Sequence, residues 1–539
     1  MSGWRNKIFR TVALLFLALL TISGCTKQES SKNAVAPGPR IVRLSQINEP
    51  ADLDPAKAAL PDEFFIIRAL SEGLITSAPD GTPRAAAAER WEVSADGLVY
   101  TFHLRTDRSW SNGEPVAAAD FVASYQRLLT PATAAPKASL FYAVKKARAF
   151  VSGTETDFSA VGFRAVDSHT LVVTLERPTP SFLAYVASGP WIPTNPRVVA
   201  RHGIKWTRPE NFVGNGPFTL VEWRPNQRIV VRRNPRYPSA AHVHLDEIHF
   251  LAFDNRDTEE RAYRAGQVDV TMAVAINRLE AYARERPAEL HSAPLAETRY
   301  LTFNTQHPPL NDVRVRRALA LAIDREKIVT KVLQGGQEAA FRFVPRTLRG
   351  NEKPGAPTAW TLKYDADEAR RLLAAAGFPE GRGFPHLELV GWANTPVLEA
   401  VQAMWKKELG IVVTLAKREA KVHIAALRAG QYEIAFVTEI PDVADALQVL
   451  AEFVTGASGN HPHWSDAAYD ALIARAVAAD DLNQQTALLV QAEQRFIDAA
   501  PVAPLYFNAK NWLMRTSVRG WQEDELWSRH YQDLYLDEK

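Results

Sequence analysis

The chain has 539 residues, with 63 Lys and Arg against 61 Asp and Glu, 46% hydrophobic residues and a single cysteine. That length exceeds one ordinary domain and supplies enough apolar material for two or more cores. The near balance of charge argues against an electrostatically driven nucleic-acid binder, and one cysteine excludes an intrachain disulfide framework.

Arg5, Lys7 and Arg10 precede an almost wholly apolar run from Val12 to Ile22. The run is shorter than the roughly 20 residues a membrane-crossing helix needs and has the form of the apolar stretch of an export signal. It ends in Ile22-Ser23-Gly24-Cys25, which resembles the lipobox of bacterial lipoproteins. The resemblance implies a leader over 1–24, lipid on Cys25, and a protein anchored to a lipid membrane outside the cytoplasm, in the periplasm or at the cell surface. An ordinary secretory leader with a chance cysteine is the plainer alternative. The leader carries three cations and no acid, so its loss leaves the protein close to neutral. The polar stretch 25–40, with Pro and Gly, reads as a flexible tether.

Ile41 to Ser45 alternates as a first strand. Phe64, Phe65, Ile67, Leu70 and Leu74 recur at helical spacing and predict a helix over 62–75. Pro79 to Pro83 is a turn by composition. Residues 98–104 alternate as a strand, Asn112-Gly113 is a strong turn pair, and 117–129 reads as a helix. Strands follow at 170–175 and 228–232, and short helices at 259–265 and 279–286. The stripe Ala318, Leu319, Leu321, Ala322 and Ile328 predicts one long helix from Val313 to Leu333. Helices over 367–376 and 397–409 close on Gly377 and Gly410, and two more cover 469–477 and 484–497. Strands and helices alternate throughout, which argues an α/β architecture.

The stretch from Pro79 to Leu129 reads PDGTPRAAAAERWEVSADGLVYTFHLRTDRSWSNGEPVAAADFVASYQRLL. Asp80, Gly81, Pro83, Ala88, Trp91, Tyr100, Phe102, Leu104, Arg105, Trp110, Ser111, Gly113, Pro115, Ala119, Asp120 and Phe121 stand at the spacings of solute-binding protein family 5 of ABC importers, which this chain resembles. Asn215 to Phe218, Asn234 to Tyr237, Arg264 to Asp269, Leu310 to Leu319 and Ala322 to Ile328 extend the likeness, which runs from about 41 to about 530. Within the family the features are most similar to oligopeptide and murein-peptide binders. Most of these residues are scaffold; Trp91, Phe102 and Trp110 read as core.

The resemblance implies a two-lobed α/β periplasmic-binding-protein fold of type II with a hinge. Lobe 1 would take 41–72, 197–300 and 505–532, with a subdomain inserted over 73–196, and lobe 2 would take 301–504. It also implies a monomer that closes around a short peptide and delivers it to the membrane permease of an ABC importer, with no cofactor. Main-chain pairing and water-filled pockets suit a cargo of variable sequence.

In the family an acid after a strand receives the peptide ammonium. Here the strand is 432–437 and the segment is Glu439-Ile440-Pro441-Asp442-Val443-Ala444-Asp445-Ala446. Asp442 falls on the ammonium-binding acid and Asp445 on a second acid; the alternative for Asp442 is a loop residue in a Pro-containing turn. Glu439, Val443 and Ala446 replace the Trp, Tyr and Pro usual there, and Phe436 stands where oligopeptide binders can carry an Arg. These departures point to a narrow preference, closer to a murein-type peptide than to arbitrary oligopeptides. Arg428 matches an Arg that murein-peptide binders use for a carboxylate; a solvated helix end before Gly430 is its alternative. Tyr300, Asn304 and Tyr142 sit where cleft-lining residues of the family fall.

No G-x-S-x-G, H-E-x-x-H or P-loop is present, which argues against an enzyme. His242, His244 and His249 with Asp246 could share a strand face, but the segment matches an ordinary family strand, so no metal site is assigned there; His461 and His463 read as loop residues. A non-peptide cargo (a metal chelate or haem) and a ligand sensor on the same scaffold remain alternatives.

Overall fold

The computed structural model describes residues 38–46, 48–238, 240–349, 362–392 and 395–537. The leader and Cys25 lie outside the described residues. Three main hydrophobic cores organise the chain into a bilobal α/β fold with an inserted subdomain.

The first core sits on a four-stranded sheet in the order 41–46, 247–252, 228–233, 218–224. Its first pair is parallel and the other two are antiparallel. Val42, Leu44, Ile229, Val231, Ile248 and Phe250 point into it and are buried, the outcome expected of period-2 alternation. The helix Pro61–Leu70 covers this core. It stops at Leu70, short of the predicted end at 75, because the Leu70 carbonyl accepts the Gly216 N–H at 3.0 Å. A Cβ on Gly216 would lie 2.6 Å from the Leu70 backbone, so only glycine permits that approach. Asn215 clamps the junction, donating to the Glu72 carbonyl and accepting the Glu72 N–H, both at 3.0 Å.

The second core lies under the sheet 88–93, 99–104, 170–174, 163–165. Phe102 and Trp110 are fully buried, whereas Trp91 is only partly buried against them. Trp191 stacks on Phe141 with centroids 4.3 Å apart and lies edge-on to Tyr125 at 5.0 Å, geometries that aromatic quadrupoles favour.

The third and largest core surrounds a six-stranded sheet in the order 338–339, 502–513, 290–303, 434–439, 387–391, 413–417. Its interior holds a buried ion pair between Arg342 and Glu493. The Glu493 carboxylate also accepts the N–H groups of Phe343 at 2.9 Å and Val344 at 2.7 Å.

Two strands of this sheet run on into the first core. Leu290–Phe303 and Val502–Leu513 pair antiparallel, with the register interrupted between Pro294 and Thr298. Ala293, Trp512 and Leu513 pack beyond the interruption, against the N-terminal half of the molecule, while Tyr300, Leu301, Val502 and Ala503 pack in the large core. A bulge in a paired ribbon bends it locally.

The expectation of one continuous helix from Val313 to Leu333 does not hold. An α-helix covers Val313–Leu321, a second turn begins at Arg325, and a π-type turn covers Ile328–Leu333. The buried Arg325 guanidinium takes the carbonyls of Ala320, Ile323, Leu362 and Pro504, and Asp324 caps the Lys327 N–H at 3.0 Å. Side-chain groups thus take up helix-end partners that periodicity alone cannot reveal.

Among the described residues no helix is long and apolar enough to cross a membrane.

Candidate functional site

The strand Ile434–Glu439 runs antiparallel to 290–303, with Tyr300 opposite Val437 and Thr298 opposite Glu439. At its end the chain turns through Ile440-Pro441-Asp442-Val443-Ala444 into the helix Ala446–Ala451. Asp445 caps that helix by accepting the Leu447 N–H at 2.8 Å, as an acid at an N-cap should. Gln448, on the first turn, accepts the N–H groups of Asp442 and Val443 at 3.1 and 3.2 Å and donates to Asp442 Oδ2 at 3.0 Å. The loop that carries the two acids is therefore held by its own helix.

The inserted subdomain meets this loop at two places. Lys137 donates to both carboxylate oxygens of Asp442, at 2.7 and 3.0 Å. Three residues further along the loop, the hydroxyls of Ser181 and Tyr185 donate to Asp445 Oδ2 at 2.6 and 2.9 Å. Both side chains of the Lys137–Asp442 pair keep about a quarter of their surface exposed, 23% and 27%.

Two further carboxyl groups surround this pair. Burial, then the charges of Glu452 and Asp442, pushes the Glu439 carboxyl well above its ordinary value, and Lys137 opposes the shift. Burial and then Asp442 raise Glu452 to about 7, again against Lys137. The Tyr300 hydroxyl is held neutral by burial and by Glu439 and Glu452. One ammonium thus faces three carboxyl groups, and burial first, neighbouring carboxyl charge second, shifts two of them towards their protonated forms.

Beside it opens a cleft of 690 Å³, lined from the insert by Ser139, Tyr142 and Tyr185 and from the other lobe by Leu447, Val477 and Gln485. Arg148 lies over the Tyr142 ring, 5.3 Å from its centroid.

The six candidate ligand residues fall into different surroundings. Asp442, Asp445 and Tyr142 stand at the junction between insert and large lobe. Tyr300 is 1% exposed and packs edge-on against Phe343 with centroids 5.0 Å apart, inside the large core. Asn304 spends its amide internally: it donates to the carbonyls of Gly430 and Tyr432 at 3.1 and 2.9 Å and accepts the Gln306 N–H at 3.1 Å. Arg428 is exposed at the end of the helix Ala420–Arg428, near enough to His461 to help lower its pKa to about 4, after burial. The structure does not bring Arg428 to Asp442.

His249 pairs with Glu247 at 2.8 Å, and Asp246 is engaged by Arg40 and Arg233. Among the described residues no group of three His, Cys, Asp or Glu side chains could hold a metal ion.

Sequence reasoning marks Glu439 as a departure from the family but does not see its role beside Asp442. It misses Lys137, Ser181, Tyr185, Gln448 and Glu452 entirely. Gln448 is legible in principle, as a polar residue on the first turn of a capped helix. Lys137 lies 305 residues from Asp442, and no local pattern signals that contact.

Residues 82–461 match the model of the bacterial extracellular solute-binding proteins, family 5 Middle. The chain is 36% identical over 512 residues to a probable deoxycholate-binding periplasmic protein of Escherichia coli K12, YgiS, spanning 92% of this chain and 94% of the relative. It is 33% identical over 496 residues to the periplasmic oligopeptide-binding protein OppA of the same strain, spanning 91% of each. The structure of the Escherichia coli murein tripeptide binding protein MppA superposes with a TM-score of 0.82 at 30% identity, over 93% of this chain and 99% of that one.

Proposed function

Because the chain belongs to the bacterial extracellular solute-binding proteins of family 5, which bind solutes for transport and are not enzymes, we propose that it captures short peptides between its lobes and delivers them to an ABC importer. The observation that carries this reading is the Asp442 carboxylate, which accepts a bidentate ammonium contact at the lobe junction. A peptide amino terminus presents the same group, and a charge-assisted hydrogen bond in a partly desolvated cleft is among the stronger polar contacts. Asp445 supports the site from the helix cap, and the cleft beside Tyr142 has room for side chains. The paired crossing strands form a hinge about which the lobes close, with the domain limits expected from the family. Arg428, Tyr300 and Asn304 are the remaining members of the expected ligand set, of which the buried Tyr300 and Asn304 act through the segments they pack and clamp. The protein works as a monomer, lipid-anchored through Cys25 outside the cytoplasm.

A second reading is a non-peptide, amphipathic cargo. Two observations favour it: the Asp442 carboxylate already has an ammonium partner in Lys137, and a relative at 36% identity bears the name of a probable deoxycholate binder.

Calorimetric titration with tri-L-alanine, N-acetyl-tri-L-alanine and deoxycholate separates the two. The peptide reading expects tri-L-alanine to bind, the acetylated form to bind poorly, and Asp442→Asn to lose at least about tenfold, since stranding a charged partner costs about 2–5 kcal/mol. Binding of deoxycholate alone overturns it. Mass spectrometry of material that co-purifies with the protein identifies the natural cargo directly.

A further inference from the structure

The two lobes touch at Asp442 through a side chain that copies the chemistry a cargo would bring. Lys137 stands at the start of a tight turn over Ala138–Phe141 in the insert, and Tyr142 follows that turn. Its ammonium donates to both oxygens of a carboxylate 305 residues away. Gln448 donates to the same carboxylate, so three of its roughly four acceptor sites are taken, and a second cation cannot make a bidentate contact while Lys137 holds both oxygens. A cargo ammonium and the Lys137 ammonium therefore have one receptor between them.

We infer that Lys137 is a specificity-determining residue: a tethered ammonium that holds the insert to the Asp442 loop and that a cargo cation must displace. This rests on the reading of Asp442 as the cargo anchor. Displacement does not strand Lys137, because its side chain already keeps 23% of its surface exposed to solvent. The competition has a size. When a site is free only part of the time, apparent affinity falls by the free fraction, so a tether engaged nine-tenths of the time weakens cargo binding about tenfold. A tethered competitor is also selective. It is present at an effective concentration of order millimolar, so a weak or singly hydrogen-bonding cation fails where a cargo with further contacts in the cleft succeeds.

The test uses the full chain and its Lys137→Met variant, which keeps the aliphatic stem and removes the charge. Calorimetry with tri-L-alanine should give about tenfold tighter binding to the variant, with N-acetyl-tri-L-alanine bound equally by both. Unchanged or weaker tripeptide binding in the variant overturns the inference. If neither protein binds the tripeptide, the peptide reading falls, and small-angle scattering without added ligand then decides the tether. A larger radius of gyration for Lys137→Met than for wild type upholds it; equal radii overturn it. Lys137→Arg, which keeps the charge, should behave as wild type in the scattering measurement.

Discussion

The indole N–H of Trp110 donates to Asp120 Oδ2 at 2.9 Å, and both residues are buried. The same oxygen accepts the Ala117 N–H at 3.1 Å, at the start of the helix Ala118–Leu129. This joins the turn of the motif to the helix that follows it, and it explains why a Trp and an Asp ten residues apart go together. Asp120→Ala removes the acceptor of the buried Trp110 N–H and of a partly buried helix-start N–H. It should cost about 2–4 kcal/mol, read as a lower midpoint in urea with an unchanged slope.

Glu493 offers a sharper case. Its carboxylate answers Arg342 and two backbone N–H groups in the interior of the large lobe. Removing one member of a buried pair leaves the other charge uncompensated, so Glu493→Ala should lose about 3–5 kcal/mol. Replacing both partners with apolar residues should recover part of that loss, and a double-mutant cycle in urea measures how much.

The acid cluster makes stability depend on pH in a definite direction. Glu452 titrates near 7 in the folded protein, raised by burial and by Asp442, and near 4.5 unfolded. A raised carboxyl contributes stability that is full below the unfolded value and is lost as pH rises through the folded one. Glu439 acts in the same direction, and Lys137 opposes both. Thermal midpoints without cargo should therefore fall as pH rises from about 4.5 to about 7, and Glu452→Gln should flatten part of that slope. A slope unchanged in the variant would count against a raised Glu452 carboxyl in the folded protein.

Cys25 tests the anchor. With Cys25→Ala the protein should leave the membrane fraction for the soluble extracytoplasmic fraction, while cargo affinity stays the same. Retention of the variant in the membrane fraction would show that something other than lipid on this residue holds the protein there.

What is legible in the amino-acid sequence is what is local. The turns at Gly81 and Gly113 have φ of 82° and 91°, which glycine alone adopts freely, and the alternation of 99–104 does place Tyr100, Phe102 and Leu104 inward. The helix break at Ile323-Asp324 is hidden because Arg325, which takes the local carbonyls of Ala320 and Ile323, is held there by the distant carbonyls of Leu362 and Pro504. The site divides in the same way. Asp442 and Asp445 can be read from their place after a strand, but Lys137 cannot. Asn304 stands at a position that reads as cleft, yet its amide closes the loop at Gly430 and Tyr432. Position along a strand tells which face a residue takes; it does not tell whether the partner waiting there is cargo or backbone.

The ribbon of 290–303 and 502–513 has a consequence for how the molecule is made. Val42, Leu44 and Leu70 share a core with Trp512, Val518, Tyr531 and Leu534, so the N-terminal lobe has its first strand at one end of the chain and part of its filling at the other. During synthesis or passage through a membrane the large lobe can gather its own apolar residues only after 502–506 arrive, and the N-terminal lobe must wait for 512–534. Closing loops of that length before any contact rewards them is slow. An unfinished chain therefore exposes apolar surface for as long as its end is withheld. Late-acting chaperones, rather than early ones, have the larger task with this protein.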